Sequence, residues 1–377
     1  MIQPEIKRFL ACAFLVLAGL LVLTGRPGLP IQAASGETQE PAVPAEPTTE
    51  QTYKNIQALK GLPASQIRPM MNYISATLGM GCADCHVKTG DAFEFEKDDN
   101  NHKKIARKMI LMTMEINKQH FNGRTQVTCQ TCHQGHDHPL SIPVLPAAAP
   151  KPAPAAAGPF PTAPEILAKY TQAVGGKEAL EKIRTRVIKG ASIAGNGQGF
   201  PLEIHFLGPD KYAMSVELPQ GASSQKLNGA RGWLKNSRED RAMDAVDLSR
   251  ARSLAMSLDP VLVRDPNARL AFGGYEKVGD REAAVLRTAL ADKRRVRFLF
   301  DKETGLLVRR IITTETVIGV DPEQTDYEDY RDVDGVKVPF TIRTSYLDRV
   351  YSSLRKFTEV RHNARVDEAL FVLPAAK

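Results

Sequence analysis

The sequence predicts an α+β chain of several domains, a small all-α part followed by a larger, mainly antiparallel β part with helices. Three observations lead there. Between residues 53 and 138, apolar side chains recur at helical spacing around two tight cysteine pairs. Residues 139–164 are rich in proline and alanine and hold 9 of the chain's 25 prolines. Beyond residue 185, short alternating segments are separated by glycine- and aspartate-bearing turns. A length of 377 residues also exceeds one ordinary domain. With 42% hydrophobic and 25% charged residues, a wholly disordered or fibrous chain is excluded. A single Trp and 6% aromatic residues provide no base-stacking surface, and the 50 Lys+Arg and 43 Asp+Glu are dispersed, with no basic block that would argue for nucleic acid.

At the amino terminus, Lys7 and Arg8 precede an apolar run from Phe9 to Leu23, which Thr24, Gly25 and Pro27 close. That order is the order of a secretory signal. The run is short for a spanning helix, which needs roughly 20 residues. Residues 1–34 are therefore expected to be a signal peptide, with an uncleaved N-terminal anchor as the alternative, and the rest of the chain is expected in the periplasm or cell envelope. Cys12 lies inside the run and reads as a small apolar residue of the signal. Residues 35–52 carry four Glu and three Pro and read as a flexible linker. The Pro/Ala-rich stretch 139–164 reads as a second, semi-rigid linker, because such composition favours extended polyproline geometry.

Between the linkers, residues 53–138 carry 11 basic and 8 acidic side chains and four of the five cysteines. Ser65 to Leu78 reads as a helix with Pro69 as a local complication. His102 to Asn117 reads as another, with Ile105, Met109, Met112 and Ile116 on one stripe. The cysteines form Cys82-Ala83-Asp84-Cys85-His86 and Cys129-Gln130-Thr131-Cys132-His133. Each is C-x-x-C-H, the attachment signature of c-type haem. Two thiols add across the vinyl groups of one porphyrin edge, and the following His turns its imidazole to the iron. A zinc site with two C-x-x-C pairs ordinarily spaces them by about 15–20 residues; 43 residues separate Cys85 from Cys129. A redox dithiol or a disulfide leaves the duplicated His unexplained. Two covalently attached haems are expected, with Cys82, Cys85, His86, Cys129, Cys132 and His133 as attachment and proximal-ligand residues. Methionine is the expected sixth ligand of an electron carrier. Met71 lies far enough before Cys82 for its helix to cover the opposite face, and Met109 and Met112 share a helix face. Met70, Met80 and Met114 are also available, although Met80 is only two residues from Cys82. His102, His120, His136 and His138 offer bis-His ligation instead.

The stretches LKGLPASQIRPMMNYISATLGMGCADCH, ARKMILMTMEIN and VTCQTCHQG resemble the cytochrome subunit of photosynthetic reaction centres over residues 53–143. The resemblance implies iron ligation by a Met on the helix before each attachment site. The pattern M-x-x-x-I/L-N falls on Met112 and Asn117, and M…LG-x-x-C falls on Met71, so it favours Met71 and Met112 over Met70 and Met109. The chain has two attachment sites where that subunit has four.

Residues 165–377 contain no cysteine and carry 35 basic and 30 acidic side chains. Pro164 to Arg184 reads as an amphipathic helix interrupted by Gly175-Gly176. The segments RVIKGASIA, LEIHFLG, KYAMSVELP, SQKLNGARGWLK, AAVLRTAL, RVRFLFD, LLVRRIITTET and TIRTSYLDRVYSSLRKFTEV read as strands, with one helical insert at about Met243 to Val263. A long antiparallel sheet wrapped on helices follows. YTQAVGGKEALEKI, FDKETGLLVRR, YRDVDGVKVPFTI and DEALFVLP resemble bacterial outer-membrane lipoprotein-sorting carriers. That resemblance implies a half-barrel with a concave apolar cavity for a lipid or other hydrophobic molecule. His205 and His362 are isolated, and no G-x-S-x-G, H-E-x-x-H or phosphate loop appears, so no catalytic residue is expected here.

Two classes of function fit. The first is an exported dihaem electron carrier between redox protein partners, with residues 165–377 serving docking or ligand binding. The second is a haem redox enzyme, peroxidase-like or a subunit of an oxidising complex, with one exchangeable sixth position.

Overall fold

Pro69 falls in the first turn of a helix, where its missing N–H leaves no bond unmade, so the segment around it folds as helix α2 (Ile67–Leu78), entered through a 3-10 turn at Ala64–Gln66. The computed structural model describes residues 46–90, 92–139, 160–237, 239–257, 269–290, 293–347 and 352–374. The expected signal segment, the linker residues 35–45 and the linker residues 140–159 lie outside them. The stretch expected as a tether through residue 52 is already folded from Glu46. Thr48 bridges to Pro63, and helix α1 (Thr49–Thr52) buries Thr49, whose hydroxyl donates to the Leu59 carbonyl at 2.5 Å.

The first cysteine pair forms a single helical turn, α3 (Cys82–Cys85), and the second forms α5 (Cys129–His133). The helix between them, α4, runs from Asn101 to His120, about one turn beyond its apolar stripe at each end. The all-α expectation omits a hairpin: β1 (Val87–Thr89) pairs antiparallel with β2 (Ala92–Glu94) directly after His86. Strands of three residues leave too little alternation to read.

The carboxy-terminal part is one antiparallel sheet of thirteen strands. The chain first lays down β3 (Thr185–Ile193), β4 (Gly199–Leu207), β5 (Lys211–Val216), β6 (Ser223–Asn228), β7 (Arg231–Lys235) and β8 (Asp240–Ala242), each beside the last. It then crosses, with helix α8 (Ala245–Ser257) in the crossing, to the opposite edge. From there β9 (Ala271–Val278), β10 (Arg281–Ala289), β11 (Arg295–Asp301), β12 (Leu307–Thr316), β13 (Gly319–Val333), β14 (Val336–Tyr346) and β15 (Ser353–His362) return until β15 pairs with β3. Of the helical insert expected through Val263, the described part ends at Ser257. Helices α6 (Ala163–Ala173) and α7 (Lys177–Glu181) are separated at Gly175-Gly176 as the sequence suggests. Thr162 and Glu165 form a capping box that starts α6. The buried face of α6, Ile166 and Tyr170, packs with Ile204, Phe300 and Phe340 in the main apolar core. Gln225 on β6 and Glu323 on β13 lie six places apart in the strand order yet line one cavity, so the sheet is strongly curled.

Strand β13 was not among the strands read from the sequence, because its acidic run and Pro322 resemble a solvated loop. Two of its charges are matched across the sheet. Arg309 and Asp326 face each other in register and form an ion pair, and Arg310 reaches Glu323 at 3.1 Å.

The hairpin that joins β12 to β13 turns on Val317 and Ile318, two β-branched residues at positions where turn-forming polar residues are usual. The turn is not solvated. Ile318 is fully buried in a second apolar cluster with Met70, Tyr73 and Ile110 of the helical part, and Val317 and Leu347 pack against it. A Cβ on Gly319 would overlap the Tyr73 ring, so glycine is what lets the hairpin seat on α2. Truncating Ile318 to Ala is expected to cost about 2–5 kcal/mol, because a fully buried isoleucine leaves a cavity. Val320→Ala, on a neighbouring exposed residue, should stay within about 0.5 kcal/mol. Denaturant unfolding of the two variants measures the difference, and equal stabilities would refute the docking role of the turn.

Candidate functional site

Helix α4 is amphipathic in an inverted sense. The side it packs against the protein carries Lys103, Ile110, Thr113 and Asn117, three of them polar, all buried. Its apolar stripe Ile105, Met109, Met112 and Ile116 lines a cavity of about 250 Å³, and Met112 remains 46% exposed. An apolar helix face is ordinarily the buried one. Here it forms the wall of an open cleft, and the opposite wall is Ile74 and Leu78 of α2.

The second cysteine motif meets one residue of the first at this cleft, while Cys82 and His86 lie off its lining. Cys85 of the first, and Cys129, Cys132 and His133 of the second, are among its lining. The two motifs are built alike. The side chain of the residue before each second cysteine reaches back to the backbone N–H that starts the turn, Gly81 N donating to Asp84 Oδ2 at 2.7 Å and Thr128 N to Thr131 Oγ1 at 3.0 Å. Each turn thereby sets its two cysteines three residues apart on one helical face. Burial pushes the Cys85 and Cys129 thiols above their ordinary range.

The two histidines are held differently. His133 uses Nδ1 on the carbonyl of His136 at 2.9 Å, which leaves Nε2 available to a ligand. His86 sits edge-on to the Phe95 ring, with centroids 5.0 Å apart, and its Nδ1 is buried without a hydrogen-bond partner. Burial, with Lys103 and Arg107 adding, holds the His86 imidazole below its usual value and so in the neutral form that can ligate a metal.

Three sets of bonds fix the motifs to α4. Asn100 caps the helix by accepting from His102 N at 2.8 Å, and its amide donates to the Asp84 carbonyl at 2.8 Å. Lys103 donates to the carbonyls of Phe95 and Lys97 at 2.8 and 2.6 Å and pairs with Asp98 at 2.8 Å, which holds the strand end after His86. Arg107 and Lys103 together hold the Asp98 carboxyl well below the usual carboxylate range. At the other end, Asn117 accepts from Gln126 N and Val127 N and donates to Val127 O at 2.7 Å. The link back to α2 is equally close. Gly135 N donates to Thr77 O at 2.8 Å, and a Cβ on Gly79, which ends α2 at φ +66°, would collide with the Gly135 carbonyl.

The structure places the candidate sulfur ligands unequally. Met112 and Met109 lie on the cleft with the second motif, as does Met80. Met71 is off the lining and packs against the Ile318 cluster, one turn before Ile74, and Met70 is fully buried there. Of the histidines, His102 and His138 line the cleft, whereas His120 and His136 are exposed elsewhere. Asn100, Lys103 and Thr77 carry no sequence signal of their role; the stripe at 105, 109, 112 and 116 does.

Comparison with known proteins agrees with the motifs. Residues 31–158 match the family of the photosynthetic reaction centre cytochrome C subunit. The photosynthetic reaction center cytochrome c subunit of Roseobacter denitrificans is 32% identical over 114 residues, 28% of this chain and 30% of that protein. Cytochrome c-554 of Chloroflexus aurantiacus is 33% identical over 86 residues, 21% of this chain and 20% of its own length. The chain thus spans under a third of the length of these relatives. Among solved structures, a LolA superfamily protein from Nitrosomonas europaea aligns over 57% of this chain and 99% of its own, with 11% identity and a TM-score of 0.40.

Asn117 is the joint between α4 and the second motif. Asn117→Leu removes an acceptor from two N–H groups and a donor from one carbonyl, and is expected to cost about 1–3 kcal/mol. Asn117→Asp keeps the acceptor and should lose less. Denaturant unfolding, with amide exchange at Gln126 and Val127, checks both; unchanged exchange in the Leu variant would refute the clamp.

Proposed function

We propose that the chain is an exported c-type cytochrome that carries two covalently attached haems and passes single electrons between redox protein partners in the periplasm or cell envelope. The observation that supports this most directly is the apolar stripe of α4 left facing a cleft lined by Cys129, Cys132 and His133 of the second motif and by Cys85 of the first. A flat, mostly apolar ring system is the kind of group that would cover such a stripe. When bound, each haem supplies a reversible one-electron iron couple.

The protein's part is to hold, orient and shield. Cys82 and Cys85 would anchor one haem and Cys129 and Cys132 the other, with His86 and His133 as proximal ligands. The helical form of both turns presents each thiol pair on one face before attachment. The His136 carbonyl fixes the tautomer and orientation of His133, and Phe95 fixes the plane of His86. Ile74, Leu78, Ile105 and Ile116 would pack on a bound ring and keep water from its face. Met112 is the sixth ligand assigned to the second site, on the strength of its place on the cleft wall beside Met109. Met71 is assigned to the first site on the family pattern alone, since it packs against the Ile318 cluster and not on the cleft. In this layout residues 53–138 form the haem-bearing part, and residues 165–377 serve docking or ligand binding.

The reading expects two haems per chain in a pyridine haemochrome assay combined with intact mass, and one in a Cys129→Ala/Cys132→Ala variant. A wild-type count of one or none would overturn it. Near-infrared spectra are expected to show methionine–iron charge transfer, lost for one haem in Met112→Ala. An unchanged band moves the ligand to Met109, and a high-spin ferric population in the wild type would favour a haem redox enzyme over a carrier.

A further inference from the structure

The concave side of the sheet departs from the apolar hollow that its resemblance implies. Among the described residues it holds a filled apolar core and a cavity of about 150 Å³ with a polar wall. That wall follows the register. Arg310 on β12 faces Thr325 on β13, which faces Thr344 on β14, which faces Ser353 on β15. An inward polar rung across four strands is thus built into a face that is apolar elsewhere.

The charges on this wall do not cancel. Arg310 is buried and paired through both Nη atoms, although its Nε has no partner. It donates to Ser253 O at 2.9 Å, to Ser253 Oγ and Glu323 Oε1 at 3.1 Å and to Thr325 Oγ1 at 3.4 Å, while Ser253 Oγ donates to Glu323 at 2.5 Å. Glu323 is therefore committed to Arg310. Arg355 on β15 lines the same cavity and is only 9% exposed, yet its Nη1 has just the Ser353 hydroxyl at 2.9 Å, and its buried Nε has no partner. No carboxylate among the described residues forms an ion pair with it. The phenols nearby supply no counter-charge either, because burial holds Tyr212 and Tyr346 protonated. Arg250 also lines the cavity, with the Asp321 carboxyl within electrostatic reach of it, so Arg355 is the cation on which the argument rests. Glu323 acts on Arg355 only at a distance; a buried guanidinium with no carboxylate in contact is costly, and its planar fork is shaped for the two oxygens of a carboxylate or phosphate.

We propose that this cavity is a binding site for a compact organic oxyanion, a carboxylate or phosphate on a body of a few heavy atoms, with Arg355 as its principal anchor and Leu254 and Tyr346 against its body. The site is separate from the haem cleft and does not depend on the haem assignment.

Calorimetric titration of the full-length, haem-loaded protein at constant ionic strength tests it, with hexanoate, inorganic phosphate and the neutral analogue hexanamide as probes. One of the two oxyanions is expected to bind one-to-one above a chloride background, with hexanamide silent. Hexanoate binding assigns the site to an organic carboxylate, and phosphate binding alone assigns it to the free inorganic anion. Arg355→Met is expected to weaken binding by about tenfold or more, the loss of a bidentate charged pair. If that variant does not fold, Arg355→Lys keeps the charge without the fork and should bind about tenfold more weakly. Absence of binding by both oxyanions, or equal binding by a folded variant, overturns the proposal.

Discussion

Lys103 and Asn117 are buried on the inner side of α4, and burying them is tolerable only because each finds several partners. Lys103 is satisfied by two carbonyls and the Asp98 carboxylate, all in the segment that follows His86. Asn117 is satisfied by the backbone just before Cys129. The two clamps are fourteen residues apart on one helix, about 21 Å at 1.5 Å per residue. A single rigid rod therefore sets where both attachment motifs stand. Because its inner side is spent on these polar joints, its apolar side is left to wall the cleft. The inverted amphipathicity and the convergence of the motifs are one constraint seen from two sides.

The helical part does not complete its own core. Its small cluster of large apolar side chains closes only when Ile318 enters from the sheet. The Tyr73 ring lies between the two contacts that matter, seated on Gly319 on one side and near Thr128 at the start of the second motif on the other. The position of the cleft relative to the sheet is thus set by a buried hairpin tip. A turn of Val and Ile makes sense only in this light, since a solvated turn would gain nothing from two β-branched residues.

Much of this was legible beforehand. Helices α2 and α4 follow from apolar periodicity, and the stripe at 105, 109, 112 and 116 reappears as the cleft wall. The cysteine pairs announce their chemistry because the constraint is local, a turn of five residues. What escaped is what register decides. Strand β13 reads as an acidic loop until Arg309 and Arg310 are placed opposite it, and the joint roles of Asn100 and Lys103 depend on carbonyls that no side-chain pattern reveals. The sixth ligand on α2 belongs to the same class, because Met70 and Met71 differ by about 100° around the helix and only tertiary packing says which side meets the cluster.

The charge of the carboxy-terminal part shows the same limit most sharply. As a composition, 35 basic and 30 acidic residues describe an ordinary solvated surface. In an antiparallel sheet, however, every second side chain points inward, so charge has to be counted face by face. Counted so, the strands β12, β13 and β15 turn Arg310, Glu323 and Arg355 to the same side, and one acid cannot serve two guanidinium groups at once. The total hides where the charges sit, because others, such as Arg309–Asp326 and Arg297–Glu276, are paired one-to-one on the outer face. The sheet pairs such charges across its outer strands, yet within it leaves Arg355 without a carboxylate in contact, and that exception lies where a cavity adjoins it.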